Sequence, residues 1–260
     1  MANKAFQTVQ WLARRILRTR SAYNLARRGM LIGNRILGIP HEQDFRLFAA
    51  FRDLKGPIID VGANGGQSII SFSAFMPKSV ILSFEPNPDL HSELRFVQRW
   101  LKSAPAELIP YALGEADGQA VLEIPQEGSL PIDARASMAT TNTEGASQIT
   151  VDVRRFDGLG LDILGYYGAP EIVKVDVEGF EAPVMRGMTE MLGNAQPLVL
   201  FERSDSLEDV SGTLLPLGYE LFTYNSDRNR LEPFDPSTTR INVFALSPDW
   251  KQRCADRGLL

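Results

Sequence analysis

The chain has 260 residues, of which 44% are hydrophobic and 23% are charged, so disordered, collagen-like and coiled-coil proteins are excluded. No run of about 18 apolar residues is present, and the sequence therefore predicts no membrane-spanning helix. The single cysteine, Cys254, excludes an intrachain disulfide and favours a reducing compartment. We therefore expect a cytoplasmic protein.

The charge is distributed unevenly along the chain. The net charge is -5, yet residues 1–41 carry eight basic residues and no acid, which leaves -13 for the remainder. We therefore predict two parts with different roles, a basic helical region at residues 1–55 and a main domain at residues 56–260.

Within the basic region, apolar residues three and four positions apart predict an amphipathic helix from Ala5 to about Arg28. Gly29, Gly33 and Gly38 predict a break, and a second amphipathic helix is expected over His41–Leu54. The simplest interpretation of the first helix is a cap that packs on the domain. Attachment to a membrane surface, docking to a polyanionic partner and an organelle transit peptide are the alternatives.

From residue 56 onward, short β-branched runs alternate with helical stretches, which predicts a parallel sheet covered by helices on both faces. The tail differs, because two strand-like runs flank a polar loop and predict an antiparallel hairpin at one edge. Residues 125–147, rich in Gly, Ser, Thr and Ala, form either a linker or a lid. The predicted strands are Ile58–Val61, Val80–Phe84, Glu107–Ala112, Val121–Ile124, Ile149–Val153, Ile172–Val177, Leu198–Phe201, Tyr219–Thr223 and Ile241–Leu246. The predicted helices are Ser68–Phe75, Pro88–Lys102, Glu181–Leu192 and Leu207–Leu217.

A glycine turn containing Gly62, Gly65 and Gly66 follows the first predicted strand. Such a turn lets a ligand approach the main chain closely, and ligands of open α/β sheets lie beyond the carboxyl ends of the strands. The glycine spacing matches neither a dinucleotide fingerprint nor a phosphate-binding P-loop. Asp60, just before the turn, disfavours pyrophosphate and suits a ligand with ammonium or sulfonium charge. A tight turn without any ligand is the alternative.

Three further strand ends carry acids. Glu85 ends the second predicted strand beside the glycine turn, where a carboxylate can accept both hydroxyls of a ribose. Lys174, Asp176 and Glu178 share one face of the fourth predicted strand, where burial is costly unless they pair or bind something. Lys174 is expected either to form a structural pair with Asp176 or to belong to a site, whereas a site role is favoured for Asp176 and Glu178 at the open end of the strand. Glu202 brings another carboxylate to the same edge.

Five strings in this order resemble the FkbM family of S-adenosylmethionine-dependent methyltransferases. The resemblance extends over residues 57–202. It departs at residues 155–157, where the family often has Leu-Asp-Asp and this chain has Arg-Phe-Asp, and it does not include the basic N-terminal region. The strings are DVGANGG (residues 60–66), FEPNP (84–88), VKVDVEGFE (173–181), VMRG (184–187) and LFE (200–202).

The resemblance implies a class I methyltransferase fold, which is an α/β, Rossmann-like architecture with a seven-stranded sheet whose last strand is antiparallel. It also implies methyl transfer from S-adenosylmethionine by the domain at residues 56–260, commonly to a hydroxyl of a sugar, glycolipid or secondary metabolite. The methionine part is expected at Gly62, Ala63, Asn64 and Gly66, the ribose at Glu85 and Pro86, and the adenine at Ala112 and Leu113, with Asp176 near the methionine ammonium. Asp60 is counted with the cofactor-binding residues because of its charge just before the turn.

Transfer to a hydroxyl requires removal of the hydroxyl proton as the new bond forms. The candidate bases, in order of preference, are Glu178, Glu202 and Asp176. The same carboxylates are equally suited to a divalent cation that lowers the pKa of the hydroxyl. Neither histidine is favoured, because His41 lies in the N-terminal connection and His91 is expected to be solvated on a helix.

Three other functions compete with this interpretation. An NAD-dependent oxidoreductase is disfavoured by the broken fingerprint, and a non-catalytic cofactor-binding protein is disfavoured by the acids at the strand ends. A nucleic-acid methyltransferase needs a basic groove, which only the N-terminal region supplies. The expected partner is a small-molecule or glycan acceptor, with membrane-surface contact through the N-terminal helix as a further possibility.

Overall fold

A computed structural model describes residues 20–101, 106–127, 130–131, 136–138 and 146–260. Its α-helices are α1 (Arg20–Leu37), α2 (Gln67–Phe75), α3 (His91–Trp100), α4 (Phe156–Tyr167), α5 (Glu181–Gly187), α6 (Thr189–Ala195), α7 (Leu207–Leu214) and α8 (Pro248–Asp256), and short 3-10 helices cover Gln43–Phe51, Pro88–Leu90 and Leu215–Leu217. Its strands are β1 (Ile58–Val61), β2 (Ile81–Phe84), β3 (Ala106–Ile109), β4 (Ala112–Leu113), β5 (Gly118–Ile124), β6 (Gln126–Glu127), β7 (Leu130–Pro131), β8 (Ser137–Met138), β9 (Ser147–Arg154), β10 (Ile172–Val175), β11 (Leu198–Glu202), β12 (Glu220–Asn225), β13 (Arg230–Pro233) and β14 (Asn242–Leu246).

The main sheet has the order β13-β12-β14-β11-β10-β1-β2-β3. The five strands from β11 to β3 are parallel, and β14 is antiparallel to both of its neighbours. The predicted α/β class I methyltransferase fold with its antiparallel hairpin is therefore confirmed. The strand number is corrected from seven to eight, because the polar loop of the hairpin contains β13. Leu231 on that strand is buried and opposes Tyr224, which holds the extra strand on the sheet edge.

Helices cover both faces of this sheet, as predicted. Successive residues of a strand point to opposite faces. Ile58 packs in one hydrophobic core with α2, α3 and α8, and Ile59 packs in a second core with α4, α5, α6 and α7. Because both faces of the central strands are covered, only the strand ends are left to form a site.

The predicted break at Gly29 and Gly33 is wrong, because α1 continues to Leu37. Each internal glycine costs a helix about 1 kcal/mol relative to alanine, and contacts of α1 with the domain, such as the buried Leu31, offset this cost. The helix ends before Gly38, which has a φ of 64°. The earlier part of the predicted helix, residues 5–19, lies outside the described residues.

The second predicted helix is a 3-10 helix over Gln43–Phe51 rather than an α-helix over residues 41–54. Phe45, Phe48 and Phe51 are all fully buried, and their spacing of three residues matches the three residues per turn of a 3-10 helix. They share a hydrophobic core with the main sheet. The domain boundary at residues 55–56 stays a prediction.

The third predicted strand is split in two. β3 ends at Ile109, and after Pro110, which has no N–H to donate, the chain enters a second sheet of order β4-β9-β5-β8. The long strands β5 and β9 bracket residues 125–147 as expected, and the described parts of that segment form β6, β7 and β8. The fourth predicted strand is shorter than expected and ends at Val175.

No helix in the described ranges is both long and apolar enough to cross a membrane. The side chains of Leu25, Ile36 and Leu37 on α1 are exposed. Membrane-surface attachment through this helix stays a prediction.

Candidate functional site

The glycine turn after β1 lies against the end of β10. Gly62 and Gly66 have φ values of 78° and 88°, and Asn64 adopts the same left-handed region at 48°. A Cβ added at Gly62 would lie 2.0 Å from the backbone oxygen of Asp176. The missing side chain therefore allows the two strand ends to touch. This places the loop of Gly62, Ala63, Asn64 and Gly66 beside the predicted acid.

Lys174 joins this loop to two carboxylates. Its Nζ lies 3.4 Å from Oδ1 of Asp60 and 3.2 Å from Oδ2 of Asp176, and it donates a hydrogen bond of 3.3 Å to the carbonyl oxygen of Gly62. Burial lowers the pKa of Lys174, but Asp176 and Asp60 outweigh it, and the net shift is upward. The predicted Lys174–Asp176 pair is confirmed.

Asp60 lies beneath the loop rather than on its open side. Its side chain is fully buried and also accepts a hydrogen bond of 2.6 Å from Oγ of Ser68. A direct contact of Asp60 with the cofactor stays a prediction. Its observed contacts fix the base of the glycine loop.

Glu85 connects the end of β2 to the glycine loop. One carboxylate oxygen accepts a hydrogen bond of 2.8 Å from the backbone N–H of Asn64, and the other accepts one of 2.9 Å from the backbone N–H of Asn87. Each carboxylate oxygen has two lone pairs, so these bonds leave capacity for hydroxyl donors. His91 is half-buried rather than fully solvated, and its Nε2 lies 2.8 Å from the carbonyl oxygen of Glu85.

The predicted adenine-binding residues lie one strand further along the same edge. The backbone N–H of Glu85 donates to the carbonyl oxygen of Ile109, which connects the ends of β2 and β3. Ala112 and Leu113 follow as β4 and are both buried. The positions of Pro86, Ala112 and Leu113 thus follow the glycine loop along one edge, and their contacts with a cofactor stay predictions.

Asp176, Glu178 and Glu202 form a cluster that we call the acidic triad. One carboxylate oxygen from each lies within 4.8 Å of the others. Burial and then the charge of Asp176 raise the pKa of Glu202 to about 8. Burial opposes ionisation of Asp176, but Lys174 and a hydrogen bond with Glu202 outweigh it and lower its pKa. Glu178 is exposed and has a φ of 47°, so it is the triad member most open to an acceptor.

Sequence reasoning missed the residues that close the other side of the triad. Asn242 of β14 lies opposite Glu202 of β11, and its Nδ2 donates 2.8 Å bonds to both Glu42 and Asp44. Burial raises the pKa of Asp44 to about 6, although the Asn242 hydrogen bond opposes this shift. No local spacing connects residues near 42 with residue 242, so no sequence motif reveals this contact.

His41 also lies in this region, although the sequence favours neither histidine as the base. Its Nδ1 lies 3.0 Å from Oγ of Ser71, and its ring interacts electrostatically with Lys174 and Asp176. Burial lowers the pKa of His41. The imidazole is therefore neutral near pH 7 and lies beside the charged centre.

The comparisons with known proteins agree with this geometry. Residues 60–225 match the family described as the methyltransferase FkbM domain. The chain belongs to the FkbM methyltransferase family. A relative from Haloferax volcanii, named hexuronic acid methyltransferase AglP, is 30% identical over 203 residues, which are 77% of this chain and 78% of the relative. The protein is therefore a methyltransferase.

Two solved structures are similar to this FkbM methyltransferase. One is the methyltransferase FkbM from Methylobacillus flagellatus KT, with a TM-score of 0.48 and 17% identity, covering 74% of this chain and 43% of that one. The chain thus spans less than half the length of that protein. The other is an S-adenosylmethionine-dependent O-methyltransferase from Thermotoga maritima, with a TM-score of 0.41 and 11% identity. The match covers 80% of this chain and 65% of that one.

The family match begins at residue 60 and excludes α1 and the 3-10 helix at Gln43–Phe51. Both elements nevertheless contact the site. His41, Glu42 and Asp44 therefore lie near the acidic triad from outside the family region.

Proposed function

We propose that this FkbM methyltransferase transfers a methyl group from S-adenosylmethionine to a hydroxyl of a sugar-containing acceptor. The observation that carries the proposal is the acidic triad at the carboxyl ends of β10 and β11, beside the glycine loop. Family membership supports the methyl transfer, and the relative named hexuronic acid methyltransferase supports a sugar acceptor.

The residues at the sheet edge fit this cofactor. Gly62 and Gly66 form the left-handed turn at the strand end, Glu85 offers a buried carboxylate for ribose hydroxyls, and the carboxylate of Asp176 suits an ammonium group. When bound, S-adenosylmethionine supplies an electrophilic methyl group on a sulfonium. The protein contributes by fixing the acceptor oxygen in line behind that methyl, and such orientation is worth about 7–11 kcal/mol.

The acidic triad has the charge distribution needed to take a hydroxyl proton. Lys174 keeps Asp176 ionised, and burial together with the negative charge of Asp176 raises the pKa of Glu202 to about 8. Glu178 is exposed, so it remains our first candidate for the general base, which contributes about 100- to 10,000-fold in such reactions. Loss of the Glu202 proton at higher pH adds a second carboxylate that can accept a proton next to Glu178.

A divalent cation is the alternative use of the triad. Three carboxylates at this spacing offer the hard oxygen ligands that Mg²⁺ and Ca²⁺ prefer. A cation bound there would neutralise the negative charge and lower the pKa of the acceptor hydroxyl. Activity that is lost on dialysis against EDTA and restored by Mg²⁺ would favour this use over a metal-free base.

The triad favours a hydroxyl over a carboxylate as the acceptor. A hexuronic acid offers both groups, but its carboxylate is already ionised at neutral pH and needs no base. It would also be repelled by the negative triad. A sugar hydroxyl is neutral and requires proton removal. We therefore propose an ether product rather than a methyl ester.

The test is to incubate the protein with methyl-labelled S-adenosylmethionine and a panel of neutral and uronic-acid oligosaccharides. Label that survives mild alkali indicates a methyl ether, and label released as methanol indicates an ester and would overturn the hydroxyl assignment. Glu178→Gln should reduce turnover at least 100-fold. Glu208→Gln, on an exposed face of α7, is the matched control and should retain turnover.

A further inference from the structure

Helix α1 is fixed across the glycine loop although it lies outside the family match. Arg28 donates two hydrogen bonds, of 3.0 and 2.9 Å, to the carboxylate of Glu93 on α3. Its guanidinium also lies 4.7 Å from the centre of the Phe96 ring. This paired contact anchors α1 and determines where the neighbouring residue, Arg27, must lie.

The guanidinium of Arg27 lies directly on the glycine loop. Only 4% of Arg27 is exposed, and its Nη2 donates a hydrogen bond of 3.1 Å to Oδ1 of Asn64. A Cβ added at Gly65 would lie 1.0 Å from that Nη2 and 1.9 Å from Cζ. The missing side chain of Gly65 therefore accommodates the arginine, which brings a fixed positive charge to this part of the loop.

The start of α2 adds positive potential at the same place. The first N–H groups of a helix lack intrahelical acceptors and carry partial positive charge. The first turn of α2 contains no acidic residue, although its Ser68 donates a hydrogen bond to the carboxylate of Asp60, which is also paired with Lys174.

At the other end of the loop, Gly62 touches the backbone oxygen of Asp176, and the side chain of Asp176 pairs with Lys174. Lys174 is buried, whereas 36% of the Asp176 side chain is exposed. The loop thus has the Arg27 guanidinium at Gly65 and the more accessible carboxylate of Asp176 beyond Gly62.

This polarity matches the amino-acid part of S-adenosylmethionine, which is a zwitterion. Its carboxylate is the only anionic group of the cofactor, while its ammonium and sulfonium are cations. We propose that Arg27 binds the methionine carboxylate of the cofactor, an assignment that rests on the function proposed above. Asp176 and Arg27 then orient the zwitterion between them, and α1 forms one wall of the cofactor site.

The test uses calorimetry on the full chain with two ligands, S-adenosylhomocysteine and 5′-methylthioadenosine, which lacks the amino-acid part. A hydrogen-bonded contact with a charged group is typically worth about 10- to 100-fold in affinity. Arg27→Met should raise the Kd for S-adenosylhomocysteine by this factor and leave that for 5′-methylthioadenosine within about twofold. Arg27→Lys, which keeps the charge but loses the planar fork, should give an intermediate Kd and serves if the methionine variant misfolds.

Arg28→Met should loosen α1 and displace Arg27, so it should weaken binding of S-adenosylhomocysteine more than that of 5′-methylthioadenosine, as Arg27→Met does. Arg95→Met, which removes an exposed arginine of α3, is the matched control and should leave both Kd values unchanged. Equal weakening of both ligands by Arg27→Met, or no weakening of either, would overturn the assignment. Failure of the wild-type protein to bind either ligand would instead overturn the proposed function, and the assignment with it.

Discussion

Replacing Lys174 with methionine is the most direct test of the charge arrangement beneath the site. Methionine has a similar length and no charge, so it fills the space while removing the cation from Asp60 and Asp176. Asp60 has no solvent exposure, and its other hydrogen bond comes from the neutral Ser68 hydroxyl. The carbonyl oxygen of Gly62 also loses its Lys174 donor.

The expected loss follows from these contacts. Removing one partner of a buried ion pair typically costs about 3–5 kcal/mol, because the remaining charge is left without compensation. A whole domain has only about 5–15 kcal/mol of stability, so the variant should unfold at a much lower urea concentration. Urea titrations at pH 7, followed by the fluorescence of the buried Trp250, measure the change.

Asp60→Asn in the Lys174→Met background isolates the cause. Asparagine preserves the shape of the aspartate without its charge, so the double variant should be more stable than Lys174→Met alone. Lys251→Met removes an exposed contact with Glu220 and should change stability by no more than about 1 kcal/mol. A cost below about 1 kcal/mol for Lys174→Met, or no recovery in the double variant, would refute the buried-charge reasoning.

Three other variants test separate features. In Gly62→Ala the new Cβ would lie 2.0 Å from a backbone oxygen, so cofactor binding measured by calorimetry should be lost. Gly218 has a similar φ, but a Cβ there meets no atom, so Gly218→Ala should bind the cofactor normally. Glu202 has a pKa of about 8 in the folded protein against an ordinary 4.5, so the stability that its proton contributes is fully present below pH 4.5 and is lost as the pH rises through 8. Above pH 6, where Asp44 has also titrated, wild-type stability should fall by up to about 1.4 kcal/mol per pH unit in urea titrations, and an unchanged slope in Glu202→Gln would contradict this. Phe48→Ala empties a fully buried position and should cost about 3–5 kcal/mol by thermal or urea unfolding, whereas a cost under 1 kcal/mol would show that the 3-10 helix is not part of the core.

The central strands and the acids that follow them were predictable from the sequence. β1 is found at Ile58–Val61 as predicted, because a short apolar run ending in glycine has few alternatives. The carboxyl ends of parallel strands meet at one edge of a sheet, which is why Asp176, Glu178 and Glu202 were expected together and are found together. Local pattern and topology suffice for this part of the site.

The N-terminal contribution was not predictable by the same reasoning. Gly29 and Gly33 are typical helix breakers, yet packing of α1 on the domain outweighs their unfavourable propensity. Arg27 reaches the loop only because Arg28 anchors the same helix to α3, and these are tertiary contacts. His41 lacks any motif and is brought to the site by the fold alone.

The hydrogen bonds of Asn242 have a consequence for how the protein is made. Asn242 lies 200 residues after Glu42 and 198 residues after Asp44, the two carboxylates that it joins. A ribosome that adds about 5–20 residues per second needs roughly 10–40 s to synthesise the intervening chain. Throughout that interval the two acids lack their donor and the antiparallel strand next to Glu202 does not yet exist. This side of the acidic triad therefore forms only after residue 242 has been synthesised.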